Sequence, residues 1–166
     1  MRGHILVTGS SGFIGDTLVK ILIDAGYTVS SISRTSSESK TSFPLDLTVR
    51  ADVQDYIKKS EPIDVIIHCA AIAHGENPPK NYSVSEFNSI MIDNLLSAFP
   101  GKHPHWIFLS SISVYGDSYL ECPVPIKEKP LPSDNYGYGK LHDEQTLIKA
   151  CDHLDILRLM PVYESF

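Results

Sequence analysis

The stretch "HILVTGSSGFIG", residues 4–15, constrains this chain more than any other. A short apolar run ends in a glycine turn and reads as a buried parallel strand. Gly9, Gly12 and Gly15 then follow at three-residue spacing into an amphipathic segment. Phe13, Ile14, Leu18, Ile21 and Leu22 recur at helical spacing up to the stop signal Gly26, so 13–26 reads as a helix. Strand, turn and helix in that order is the context in which a glycine triplet carries meaning.

The same alternation continues along the chain. Strands are expected at 28–33 ("TVSSIS"), 42–47 ("SFPLDL"), 64–70 ("DVIIHCA"), 105–111 ("HWIFLSS") and 155–160 ("DILRLM"). Helices are expected near 49–59, from about Ser83 to Phe99, and from about Ser133 to Ala150. A long proline-rich loop over 117–132 separates the last helix from the strand before it, and loops of that length are often functional. Strand alternating with helix implies one doubly wound α/β domain over 1–166, a parallel sheet covered on both faces.

In the glycine loop the first glycine permits the tight turn, the second lets a pyrophosphate approach the backbone, and the third lets the helix pack on the strand. Gly9, Ser11, Gly12, Phe13, Ile14 and Gly15 are therefore candidate dinucleotide contacts, with the helix dipole aiding the phosphates. The end of the second strand bears on which dinucleotide. A site for NAD usually carries a carboxylate there, whereas this chain has Ser33 and Arg34. A guanidinium beside a hydroxyl suits a 2′-phosphate, so the expectation is NADP, with NAD the alternative.

Bulk properties exclude other partners. Net charge is −6, with no basic cluster, which argues against nucleic acid or an anionic membrane surface. Cys69, Cys122 and Cys151 are odd in number and widely spaced, so neither a disulfide framework nor a zinc site is expected, and a reducing cytoplasm is the expected compartment. The "HPH" at 103–105 reads as a loop rather than a metal site, and no apolar run is long enough to span a membrane.

"NYGYGK", residues 135–140, places two tyrosines, two glycines and a lysine in six positions at the start of a helix. A glycine inside a helix costs roughly 1 kcal/mol relative to alanine, so two of them imply that something approaches the backbone closely.

Taken together, "TGSSGFIG", "HCAA" (68–71), "SSISVYG" (110–116) and "YGYGK" (136–140) resemble, in order and spacing, the extended short-chain dehydrogenases/reductases, and within them the nucleotide-sugar epimerase/dehydratase/reductase group. The resemblance implies a Rossmann fold and a catalytic tyrosine with a lysine four residues later, here Tyr136 and Lys140. Positions i and i+4 share a helix face while i+2 points away, so Tyr138 is not expected to serve. Lys140 would favour the phenolate and hold the nicotinamide ribose. The same pattern assigns the catalytic hydroxyl to Ser111, with Ser110 and Ser113 close enough to compete. It also assigns Asp46 and Leu47 to the adenine, Ala70, Ala71 and Ala73 to the cofactor lining, and Asn88 to a helix asparagine of the family. Gly137 and Gly139 would relieve packing near the cofactor.

The implied activity is hydride transfer at a sugar carbon of a nucleotide-activated sugar, leaning to an NADPH-dependent ketoreductase. The resemblance covers only the N-terminal part of a typical member, so most of the C-terminal substrate domain is expected to be lacking. A truncated, catalytically inactive NADP-binding module acting as sensor or protein partner is the alternative, and whether the chain is an enzyme stays open. Family members often dimerise through the helices matching 83–99 and 133–150, which makes a homodimer the expectation here.

Overall fold

The computed structural model describes residues 3–34, 42–72, 78–79, 81–101, 104–120 and 128–162. Six parallel strands form one sheet: β1 (His4–Thr8), β2 (Thr28–Ser33), β3 (Ser42–Pro44), β4 (Val65–His68), β5 (His105–Ser111) and β6 (Leu154–Leu159). Among the described residues the α-helices are α1 (Phe13–Asp24), α2 (Arg50–Lys59), α3 (Val84–Ser97) and α4 (Asn135–Ala150). The strand order β3-β2-β1-β4-β5-β6 reverses between β1 and β4, which opens a crevice at their C-terminal ends.

Strand alternation divides the core into two layers. Leu6, Ile66, Trp106 and Phe108 face one way and pack with α2, α3 and Leu147 of α4. Ile5, Val7 and Ile67 face the other way, under Val19 of α1. β6 lies at the margin, and its Leu157 is 44% exposed.

Helix ends differ from the sequence reading for local reasons. α1 stops at Asp24, two residues early, because Gly26 (φ 82°) closes a Schellman turn in which the Tyr27 N–H donates to the Leu22 carbonyl. α3 starts after Ser83, whose hydroxyl accepts from the Glu86 N–H in a reciprocal capping box. α4 starts after Asp134 rather than Ser133, since the Asp134 carboxylate accepts from the Gly137 N–H at 2.6 Å. A 3-10 segment, Ile112–Leu120, kinked at Gly116, takes up the first four positions of the expected loop at 117–132.

Candidate active site

Two connected hollows of about 670 and 440 Å³ lie over the crevice and meet at Gly9, Gly12, Cys69 and Ala71. Gly9 (φ 68°) turns the chain, and a Cβ on it would stand 2.7 Å from the Ala70 nitrogen. A Cβ on Gly15 would collide with the Gly9 carbonyl, so α1 can press against the turn only with glycine there. Gly12 at the N-cap of α1 brings no side chain to its first-turn amides, whose residues border the larger hollow.

The smaller hollow takes in Ser11, Ser33, Arg34, Leu47 and Ala70. Arg34 is exposed, with its guanidinium carbon 5.8 Å from the Phe87 ring centroid. Beneath it the hydroxyls of Ser10 and Ser33 lie 3.3 and 3.5 Å from that of Ser42. The Asp46 Oδ1 accepts from both the amide and the hydroxyl of Thr48. Ala73 lies outside the described residues.

The larger hollow brings Ser111, Tyr136 and Lys140 together from β5 and α4, with Phe13, Ile14 and Gly15 across from them. Lys140 is buried, its ammonium donating to the Leu109 carbonyl at 2.9 Å and lying 4.7 Å from the Phe108 ring centroid. Burial lowers its pKa to about 8, against the pull of Asp143, Cys69 and Glu144. The Tyr136 ring centroid is 5.9 Å from the same ammonium, whereas Tyr138 is 57% exposed. Asp143, buried beside them, is raised to about 6 by desolvation, and the Ser89 hydroxyl that donates to it at 2.6 Å works the other way.

All three serines border the larger hollow, but their hydrogen bonds differ. Ser110 is buried and donates to Glu144. Ser111 lines the hollow, accepting from the Ser113 N–H at 3.1 Å and donating to the Ser113 hydroxyl at 3.0 Å. Gly137 and Gly139 owe their presence to protein contacts: a Cβ on the first would strike the Ser113 carbonyl, and one on the second would stand 2.7 Å from Ser85 Cβ in α3. Asn88 clamps the chain after β4, taking the Ile72 N–H at 2.7 Å and donating to the Ile72 carbonyl at 3.2 Å.

Two features were not foreseen. His68, fully buried between Trp106 and Phe108, shares a 2.9 Å hydrogen bond with Thr8, and desolvation lowers its pKa to about 3. Glu144 is ion-paired with Arg158 of β6. The only signal for the pair was an arginine interrupting the apolar run "DILRLM".

The sequence matches the family described as the NAD dependent epimerase/dehydratase family over residues 5–163. It is 32% identical over 157 residues to a UDP-glucose 4-epimerase of Vibrio cholerae, covering 89% of this chain and 47% of the relative. It is 26% identical over 169 residues to a dTDP-4-dehydrorhamnose reductase of Mycolicibacterium smegmatis, covering 99% and 47%. Among solved structures, a UDP-N-acetylglucosamine 4-epimerase from Bacillus cereus superposes with a TM-score of 0.73 at 28% identity, covering 95% of this chain and 53% of that one. The chain thus spans about half the length of the curated relatives it matches.

Proposed function

The chain belongs to the NAD dependent epimerase/dehydratase family, and from that premise we propose that it binds NADP(H) along the two joined hollows and serves a ketoreduction on a nucleotide-activated sugar. The observation that carries this reading is the convergence of Ser111, Tyr136 and Lys140 on a hollow that adjoins the glycine turn. The residues present fit a dinucleotide: the α1 amides behind Gly12 suit a pyrophosphate, and the glycine turn leaves it room.

When bound, the nicotinamide supplies or accepts the hydride. Tyr136 gives or takes the proton at the substrate oxygen, and Ser111 holds that oxygen in line. The Lys140 ammonium favours the phenolate and, held by the Leu109 carbonyl, presents its remaining N–H groups toward the ribose. Arg34 with Ser33 takes the 2′-phosphate, Leu47, next after Asp46, borders the adenine, and Ala70 and Ala71 floor the cleft. We assign the work to a reducing cytoplasm, where Cys69 and Cys151 stay free, and to a homodimer formed through α3 and α4.

Calorimetric titration with NADPH and NADH tests the reading, followed by assay with 4-keto sugar nucleotides. NADPH is expected to bind more tightly, and Arg34→Ala to weaken it about 10- to 100-fold while leaving NADH unchanged. Equal affinities would remove the role given to Arg34, and no binding of either would remove the functional reading.

A further inference from the structure

Glu144 is only 1% exposed, yet its carboxylate is fully engaged. Its Oε1 accepts from the Ser110 hydroxyl at 2.5 Å and from Arg158 Nε at 2.9 Å, and its Oε2 accepts from Arg158 Nη2 at 2.6 Å. The third arm of the same guanidinium, Nη1, donates to the Tyr115 hydroxyl at 2.6 Å. One bidentate pair, its carboxylate buried, therefore ties together β5, the 3-10 segment, α4 and β6. Two of those four, β5 and α4, carry the residues that converge on the larger hollow.

We propose that Glu144 and Arg158 are positioning residues for the proposed reaction, fixing Ser111 through Ser110 and Tyr115, while Glu144 acts on Lys140 directly from the same helix. Successive strand residues point to opposite faces, so drawing Ser110 inward onto Glu144 turns Ser111 toward the hollow. From the other side, the bond from Arg158 to Tyr115 holds the 3-10 segment, and with it Ser113, whose N–H donates to Ser111 Oγ. Glu144 also stands four residues after Lys140, on the same helix face. Besides Glu144, the groups around that ammonium are Tyr136 and Asp143 on α4, His68 and Cys69 at the end of β4, and the Phe108 ring and Leu109 carbonyl of β5. Ser89 and Asp93 of α3 act on it through Asp143.

This inference rests on the functional reading above, but its test needs neither cofactor nor substrate. Amide hydrogen exchange is measured residue by residue in the wild type, Tyr115→Phe and Ser110→Ala, and Lys140 is titrated by lysine-selective NMR. Each hydroxyl deletion is expected to speed exchange at the Ser113 amide about tenfold, with Ile107 in the middle of β5 unchanged and the Lys140 titration unmoved. Glu144→Gln is expected to speed Ser113 exchange and also to move the Lys140 titration to lower pH, since it removes a carboxylate and leaves Arg158 charged. Should Glu144→Gln not fold, the two hydroxyl variants decide alone. Unchanged Ser113 exchange in both, or acceleration spread evenly along β5, would overturn the proposal. A wild type that binds no NADPH would sink the functional reading while leaving these outcomes standing.

Discussion

Lys140 donates to the carbonyl of Leu109, two residues before Ser111, so the ammonium of α4 is anchored to the strand that carries the candidate catalytic hydroxyl. Neighbouring positions on α4 have unequal roles in this arrangement. Tyr136→Phe is expected to slow carbonyl reduction by about 10²- to 10⁴-fold with little change in NADPH affinity. Tyr138→Phe, at an exposed site, is expected to leave both unchanged. Single-turnover assays on the two variants check this, and equal loss in both would remove Tyr136 from its assigned role.

Helix packing at Gly139 gives a prediction independent of cofactor. Gly139→Ala puts a methyl 2.7 Å from Ser85 Cβ, so overpacking of about 1–3 kcal/mol is expected to outweigh the gain in helix propensity. Ser85→Gly removes the opposing atom and should restore most of that loss in the double variant. Urea melts of the two singles and the double read the coupling, and strict additivity would show that α3 and α4 do not meet there.

Asn88 is bonded to both backbone groups of Ile72. Asn88→Ala leaves an amide and a carbonyl buried without these partners, at a cost of about 2–4 kcal/mol. Because Ile72 borders the smaller hollow, NADPH affinity should fall with it. Calorimetry beside denaturant titration separates the two effects.

Acid stability should carry the signature of His68. Its folded pKa, about 3, lies below the free value of 6.5, so the unfolded chain takes the proton first as the pH falls. The stability this group contributes is complete above about pH 6.5 and is lost toward pH 3, at up to about 1.4 kcal/mol per pH unit. Asp143 has the opposite sign: raised from 3.8 to about 6, it gains stability as the pH falls through that window and offsets part of the loss. His68→Asn removes one limb and keeps the other. Its stability should therefore fall less between pH 7 and pH 5 than that of the wild type, and equal slopes in urea unfolding would show that His68 is not held neutral.

Much of the fold was legible because its signals are local. The apolar run 4–8 and the glycine triplet specify β1, its turn and α1 within a dozen residues, and the spacing of Tyr136 and Lys140 specifies a shared helix face. What the sequence hid was pairing at long range. The partners of Glu144 come from positions 110 and 158, and no periodicity links them. Gly137 and Gly139 are closely packed, and the atoms a side chain there would meet belong to distant Ser113 and Ser85. The 3-10 segment after β5 carries neither a two-residue nor a 3.6-residue pattern, so it could only be read as irregular.

The opposed faces of Ser110 and Ser111 also bear on how such a chain can change over evolutionary time. A single residue inserted within β5 would turn over everything after it, burying Ser111 and offering Ser110 to the cleft. Strand length here is constrained as tightly as residue identity. Residues added in the turns at the opposite end of the sheet would leave the phase of the strand untouched.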